Sequence, residues 1–401
     1  MKMNLLEKWA DVLLDYSLGT VDFAKAWKNG QKRLWLRYES PGDDLAKIIV
    51  GKIYEKGGNV FIEQWPTWFE YAFCTKASDE VLTSKPGLRL KRLDYTAAYL
   101  RILSASNTRS LATVDPAKIS MRATGEFPWV EKLLKVDEEG NFLIPWCSTL
   151  YPTPAYAQDV GMPLDEFRDY AYDIMLLNEK DPKKALEAFS ERGKKLKKQV
   201  LDSAKTIRIV DKEDGTDLKM SVERHRWLVA DGHVNFPDGE IFNAPRKDSV
   251  NGVITFPRLP QHYRGTGPEV SGIRYVFKDG KLVEWKAKVG QDYLDKFLEK
   301  QPEARFLGEV ALGLHPKIQK ISKQILYDEK IGGTVHIALG RAYHLHVLGD
   351  EDRSQLNVCP VHWDQIRDMR VPTASVLIDD KYEMKWDADT SRWLFRKPYS
   401  K

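Results

Sequence analysis

The sequence predicts an α/β N-terminal domain with a parallel sheet, followed by a β-rich α+β C-terminal domain. Its 401 residues are more than one ordinary hydrophobic core holds. Up to about residue 150, segments of helical and strand periodicity alternate, which is typical of a parallel, doubly wound sheet. Beyond about residue 200, short strands dominate. We therefore predict domains at residues 1–200 and 201–401.

The first domain opens with a helix, because Leu5, Trp9, Leu13 and neighbouring leucines recur at helical spacing. A second helix is predicted over 45–54 and is ended by the pair Gly57-Gly58. Strands are predicted over residues 33–38, 59–63, 99–104 and 142–146.

Two helices are predicted to link the domains. One begins near Pro163, and the next begins at Asp181-Pro182, an N-cap followed by proline at the first helical position. The turn Glu213-Asp214-Gly215 then predicts a hairpin. The remaining predictions are strands over 207–210, 218–222, 273–277, 281–289, 334–339 and 375–378, and a helix over 293–300.

Charge and cysteine content exclude several classes of protein. The 62 basic and 58 acidic residues nearly balance, which argues against a dedicated nucleic-acid-binding protein. Three widely spaced cysteines cannot build a disulfide framework. No apolar run approaches the ~20 residues that span a bilayer, and the charged N-terminus does not resemble a signal peptide. We expect a cytoplasmic protein that binds neither nucleic acid nor membrane.

Histidines are concentrated in one stretch of the second domain. Five of the eight lie between His315 and His362, beside carboxylates. Imidazole nitrogens and carboxylate oxygens are common ligands of zinc and cobalt. If 334–339 is a strand, His336 shares a face with Thr334 and Ala338, whose small side chains leave room beside the imidazole. The stretch therefore predicts a metal site.

His362 and Asp364 are two residues apart, so on an extended segment both side chains project to the same side. They could converge on one metal ion. The alternative is a structural hydrogen bond between them, which the pair by itself favours.

Two glutamates complete the candidate set. Glu309 lies between glycines and small apolar residues, where a carboxylate is poorly solvated unless a charged group pairs with it. Glu240 follows the turn Pro237-Asp238-Gly239 and begins a short apolar run. For Glu240 alone, a carboxylate on a surface turn is the simpler interpretation.

Several segments together resemble the thermophilic metallo-aminopeptidases of the aminopeptidase T, aminopeptidase S and PepS type. They are 235–245 (NFPDGEIFNAP), Leu307-Gly308-Glu309, 328–340 (DEKIGGTVHIALG) and His362-Trp363-Asp364, in this order. The segment 146–157 and Gly161-Met162 extend the resemblance into the first half.

The resemblance implies two divalent metal ions, most simply zinc or cobalt, and a homodimer. It implies an aminopeptidase that removes the N-terminal residue from peptides with a free N-terminus, through a hydroxide bridging the metals. Glu309 and Tyr343 are its implied catalytic residues. The metal ligands that it implies are Glu240, Glu309, His336, Tyr343, His362 and Asp364.

Some residues near the implied site have no family role. His315, His344 and His346 are expected to be surface or supporting histidines and not ligands. Glu329 is a candidate general base, but we favour a salt-bridged turn carboxylate at this position.

Two alternative functions stay open. The metals could serve hydrolysis of another amide or an ester, which metal geometry does not distinguish. The cluster could instead be a non-catalytic, structural metal site. Structural zinc sites are usually four-coordinate and rich in cysteine, whereas these candidate ligands exceed four and contain none.

Overall fold

The computed structural model describes residues 4–262, 268–347 and 353–396. The strands are β1 (Arg33–Tyr38), β2 (Val60–Gln64), β3 (Thr96–Leu103), β4 (Trp146–Leu150), β5 (Thr206–Asp211), β6 (Thr216–Ser221), β7 (Leu228–Ala230), β8 (Asn235–Phe236), β9 (Glu240–Asn243), β10 (Asn251–Phe256), β11 (Gln261–His262), β12 (Glu269–Val270), β13 (Ile273–Lys278), β14 (Lys281–Lys286), β15 (Leu307–Gly313), β16 (Thr334–Gly340), β17 (His362–Asp368), β18 (Ala374–Ile378), β19 (Tyr382–Asp387) and β20 (Arg392–Arg396).

The α-helices are α1 (Leu5–Val12), α2 (Phe23–Gly30), α3 (Asp43–Glu55), α4 (Thr67–Lys76), α5 (Asp79–Thr83), α6 (Gly87–Arg92), α7 (Pro116–Leu133), α8 (Pro154–Asp159), α9 (Leu164–Ile174), α10 (Pro182–Leu196), α11 (Gln291–Lys300) and α12 (Ile325–Asp328). Short 3-10 segments occur at Ser40–Gly42, Leu93–Tyr95, Pro302–Arg305, His344–His346 and Arg353–Gln355, and π-helical turns at Leu13–Ser17 and Lys197–Leu201.

The chain forms two compact units. Unit 1 contains Met1–Val114, Gly125–Ser190 and Ala230–Asp238, and unit 2 contains Asp115–Thr124, Glu191–Val229 and Gly239–Lys401. The chain therefore passes between the units several times, and α7 and α10 each contain a point of division. A single boundary at residue 200 stays a prediction.

Unit 1 is built on a five-stranded sheet in the order β2-β1-β3-β4-β8. All four pairings are parallel, as the alternating helices and strands of the sequence predicted. Central β1 carries the run Leu34-Trp35-Leu36, which is fully buried because helices cover parallel sheets on both faces. Helix α3 buries Leu45, Ile49 and Ile53, a stripe at helical spacing.

An aromatic cluster fills the core of unit 1. The Trp35 ring contacts Tyr99 and Trp129 edge to face, with centroids 5.3 Å and 5.9 Å away. Tyr99 and Trp129 also contact each other, at 5.5 Å. Leu93 and Leu133 close the cluster. Edge-to-face pairs add stability beyond the apolar area that they bury.

The strand predicted over 142–146 was placed too early. Strand β4 begins at Trp146 and ends at Leu150, while Phe142 forms only an isolated antiparallel bridge with Val136. Pro145 lacks the N–H that a central strand must donate, so the ladder starts after it. Leu143 is largely exposed, whereas Cys147 and Leu150 are buried.

Unit 2 contains a sheet of eight strands in the order β14-β13-β10-β6-β5-β18-β19-β20. The predicted hairpin is present as β5 and β6, and Gly215 in its turn has a φ of +73° that favours glycine. Strand β14 ends at Lys286, three residues before the predicted end at Val289.

A second sheet of unit 2 has the order β17-β16-β15-β9-β7. The first four of these strands pair antiparallel. Every residue of β15 and β16 is buried. Polar side chains on these two strands therefore lie in the interior, where each needs a partner.

Among the described residues, no helix is long and apolar enough to cross a membrane.

Candidate metal centre

Strand register brings three candidate residues into a cluster. Glu309 on β15 lies opposite Ala338 on β16, and Ala338 lies opposite Asp364 on β17. Directly opposed residues in an antiparallel pair point to the same face, so the two carboxylates flank the small Ala338 side chain. His336 precedes Ala338 by two residues and projects to that face.

Two further residues enter from the ends of neighbouring strands. His362, the first residue of β17, lies opposite Gly340. Glu240, the first residue of β9, lies opposite Gly313. Both opposing positions need glycine, because a Cβ atom would lie 2.1 Å from the Ile331 carbonyl oxygen at Gly313 and 2.3 Å from the Val361 carbonyl oxygen at Gly340. Glu240 is thus a buried strand residue, and its interpretation as a surface-turn carboxylate was wrong.

Glu309 lies between the two histidines. Its Oε1 atom is 3.1 Å from His336 Nε2, and its Oε2 atom is 3.7 Å from His362 Nε2. His336 Nε2 is also 3.2 Å from Glu240 Oε2, and His362 Nε2 is 3.1 Å from Asp364 Oδ1. The five side chains form two overlapping groups that share Glu309: Glu240, Glu309 and His336, and Glu309, His362 and Asp364.

A third group includes a residue that the sequence argument had set aside. Glu329 offers an oxygen within 4.8 Å of ligand atoms of His336 and Asp364. The predicted salt bridge is present, since Glu329 Oε1 lies 2.6 Å from Lys330 Nζ. The carboxylate is nevertheless buried beside the cluster, and the rest of the turn between α12 and β16 is buried with it.

These donors fit a divalent cation. They are carboxylate oxygens and imidazole nitrogens with no thiolate, a set that suits zinc, cobalt or manganese. His362 Nδ1 lies 2.7 Å from the Arg341 carbonyl oxygen, which leaves Nε2 toward the cluster, the usual arrangement of a metal-binding histidine. His336 Nδ1 is buried without a hydrogen-bond partner among the described residues.

The balance of charge also favours a cation. Four buried carboxylates, those of Glu240, Glu309, Glu329 and Asp364, are accompanied by one lysine, Lys330. Burying charge of one sign is costly unless an opposite charge compensates it. The two imidazoles can compensate only when protonated. With the imidazoles neutral, four carboxylates and one lysine leave three negative charges, of which one divalent ion would compensate two and a second ion the remainder.

The pKa values report the same imbalance. Burial lowers the pKa of His336, but Glu240 and Glu309 outweigh it and hold the pKa well above its ordinary value. Burial likewise opposes protonation of His362, yet Asp364 and Glu309 raise its pKa to about 9. Burial raises the pKa of Glu309, and raises that of Glu329 to about 8. A cation at the cluster would take the place of these protons.

Tyr343 follows β16 by three residues, and its ring centroid is 5.1 Å from that of His362. Burial raises the pKa of its hydroxyl, so the group holds its proton at neutral pH. The structure thus places all six residues of the predicted site in one region. The ligand role of each stays a prediction.

The additional histidines make other contacts. His315 Nδ1 accepts hydrogen bonds from the backbone N–H groups of Lys317 and Ile318. The His346 ring packs edge-on against Phe242, and burial lowers its pKa to about 3. His315 and His346 are buried, so of the two predicted alternatives, surface or supporting, the surface location applies to neither.

Lys330 is the residue of the cluster that sequence reasoning missed. Asp328-Glu329-Lys330 has the mixed charge of a solvated turn, yet all three residues are buried. The available signal was the run of apolar residues around them, Leu326, Tyr327 and Ile331, which is unusual for an exposed turn.

Known proteins resemble this chain over most of its length. Residues 2–384 match the family described as thermophilic metalloprotease (M29). Aminopeptidase 2 of Geobacillus stearothermophilus is 28% identical over 80% of this chain and 83% of its own. Aminopeptidase T of Thermus thermophilus is 28% identical over 86% and 83% of the two chains.

Solved structures support the fold. The structure titled wild-type AmpT from Thermus thermophilus superposes with a TM-score of 0.73 at 22% identity and covers 98% of both chains. A dioxygenase acting on 2,5-dihydroxypyridine, from Pseudomonas putida, reaches a TM-score of 0.50 at 13% identity over 94% of each chain, which concerns the fold alone.

These matches confirm the predicted fold class and the predicted metal-dependent peptidase. The match to the family spans nearly the whole sequence and includes every residue of the cluster. The chain belongs to the thermophilic metalloprotease family, M29.

Proposed function

We propose that this protein is an aminopeptidase that uses two divalent metal ions, zinc or cobalt, to remove the N-terminal residue from peptides. The observation that carries the proposal is the position of Glu309, with one oxygen beside the buried His336 imidazole and the other beside the partly buried His362 imidazole. Family membership and relatives that are named aminopeptidases support the reaction type.

Glu240, Glu309 and His336 would hold one ion, and Glu309, His362 and Asp364 would hold the other, with Glu309 common to both groups. When bound, such ions polarise a carbonyl and lower the pKa of a water that they share to roughly 7. The protein supplies the remaining functions through residues around the ligands.

His362 is oriented by the Arg341 carbonyl oxygen, which holds Nδ1–H and leaves Nε2 for binding. Glu329 lies next to the cluster without belonging to either of the two proposed ligand groups. We assign to its carboxylate the transfer of a proton from the attacking water to the leaving amine.

Tyr343 is protonated and lies beside His362. We assign to its hydroxyl a hydrogen bond to the oxygen on which negative charge develops. The family resemblance also implies a ligand role for Tyr343. Tyr343→Phe separates the two, because a ligand's loss lowers metal affinity, whereas a donor's loss lowers turnover alone.

We expect a preference for a free N-terminus, because an unblocked α-amine offers a nitrogen donor to a bound ion, and acetylation removes that donor. The test compares peptides with free and acetylated N-termini, after metal-free protein is reloaded with zinc or cobalt. We expect hydrolysis of the free peptides alone.

Equal hydrolysis of both peptides would favour a hydrolase of other amides or esters. An absence of hydrolysis despite stoichiometric binding would favour a structural metal site. The homodimer and the cytoplasmic location stay predictions, and light scattering of the purified protein tests the first of them.

A further inference from the structure

Lys330 is a lysine in direct contact with two carboxylates of the cluster, and it has no exposed surface. We propose that Lys330 is a positioning residue that decides which carboxylates bind metal, by holding Glu329 out of the ligand set. This inference rests on the proposed metal centre and names a residue that determines which side chains bind the metal ions.

The position of Lys330 is fixed through its backbone. It follows α12, and its N–H donates to the Tyr327 carbonyl oxygen at 3.1 Å. Its own carbonyl oxygen accepts from His315 N–H at 2.9 Å. These two hydrogen bonds fix the backbone of Lys330, so the point from which its side chain extends is defined. A buried ammonium group is costly unless carboxylates compensate it, so its placement here depends on the cluster.

The ammonium group contacts two carboxylates. Lys330 Nζ lies 2.6 Å from Glu329 Oε1 and 2.7 Å from Glu240 Oε1. The Oε1 atom of each glutamate is therefore engaged. For Glu240, the other oxygen, Oε2, faces His336 Nε2 at 3.2 Å, so this residue still presents one oxygen to the cluster.

Glu329 differs from Glu240 because the possible ligand group that contains Glu329 shares residues with both of the proposed metal-binding groups. Glu329, His336 and Asp364 form a possible triad, but His336 and Asp364 each belong to one of the groups that share Glu309. An ion at the third position would draw ligands from both proposed positions. The positive charge of Lys330 beside Glu329 disfavours a cation there and keeps the carboxylate available for proton transfer.

The test uses Co²⁺ alone as the probe, with metal-free full-length protein. Visible absorption reports the number of ligands around Co²⁺, since bands weaken as coordination rises toward six, and calorimetry gives the dissociation constant. In Lys330→Met, Glu329 becomes an additional ligand. We expect weaker visible bands and Co²⁺ binding that is at least about tenfold tighter, because a positive charge has left the site.

Matched variants isolate the cause. Glu329→Gln combined with Lys330→Met removes the released carboxylate as well, and should restore the band intensity of the unmodified protein. Lys219→Met is the control, because Lys219 forms an ion pair of 2.8 Å with Asp380 outside the cluster, and should change neither property. If Lys330→Met does not fold, Lys330→Gln keeps a hydrogen-bond donor without the charge and carries the same expectation.

An unchanged spectrum and unchanged affinity in the folded lysine variant would overturn the inference, as would a double variant that keeps the weakened bands. Failure of the proposed function looks different, because it would be seen in the unmodified protein, which would then bind no Co²⁺ at the cluster or would bind it without hydrolysing peptides that have a free N-terminus.

Discussion

Two groups of buried charges, one in each unit, are compensated in opposite ways. In unit 1, the buried guanidinium of Arg37 lies 3.9 Å from the Trp65 ring centroid and 3.7 Å from Glu63. Arg92 shares Glu63 at 2.9 Å, and its guanidinium lies over the Phe61 ring at 3.8 Å. Each of these two arginines contacts Glu63 and an aromatic face, so groups of the protein itself compensate its positive charge.

In unit 2, by contrast, four buried carboxylates have one lysine among them, and both histidines have raised pKa values. This cluster is complete only with added positive charge. The comparison teaches that buried charge alone does not mark a functional site. Compensated charge stabilises a unit, whereas uncompensated charge of one sign indicates a ligand of the opposite sign.

The strongest way to break this comparison is Glu309→Gln, which removes the negative charge and replaces one of the two oxygens that face the histidines by an amide nitrogen. We expect turnover of leucyl and phenylalanyl substrates to fall by about 10⁴-fold or more, because several kcal/mol of charge stabilisation depend on the metals. Circular dichroism should show an intact fold. Retained hydrolysis by the folded variant would contradict the role of Glu309.

The second prediction concerns unit 1 alone. Trp35→Ala removes the ring at the centre of the aromatic cluster and should cost about 3–5 kcal/mol of unfolding free energy. The measurement is chemical denaturation, followed by calorimetric titration of the folded variant with zinc. A folded variant with weakened zinc binding would show that the two clusters are not independent.

The third and smallest effect is the dependence of metal affinity on pH. His362 has a pKa of about 9 in the metal-free protein, so a proton competes with metal below that pH. One proton released per ion weakens binding about tenfold per pH unit, or about a hundredfold from pH 8 to pH 6. Competition with a chelator at several pH values measures this.

Protonation of His362 has the opposite effect on the stability of the metal-free protein, which it increases. Because the folded pKa of His362 is raised, its contribution to the stability of the metal-free protein is complete below the unfolded value and is lost as pH rises through about 9.

Equal zinc affinity at pH 6 and pH 8 would contradict the proposed ligand role of His362.

Local sequence patterns predicted about half of the strands in the described part of the chain. Strand β1 has the predicted bounds, Arg33–Tyr38, and β16 extends the predicted strand by one residue to Gly340. The extended conformation of His362 and Asp364 was also predicted. Strands β1 and β16 are short and rich in apolar residues, so their periodicity suffices. The prediction of β4 shows where this approach fails. The apolar residues before Pro145 suggested a strand, but the proline cannot donate a backbone hydrogen bond, and β4 begins after it.

The sequence by itself determined the fold class, the family and the identity of the candidate donors, because periodicity and motif order are written along the chain. Only the tertiary structure decided that Glu309 and Asp364 flank Ala338, since strand register depends on pairing between distant segments. It also decided that Glu329 and Lys330 are buried. A turn of mixed charge looks solvated until the surrounding strands exclude the water.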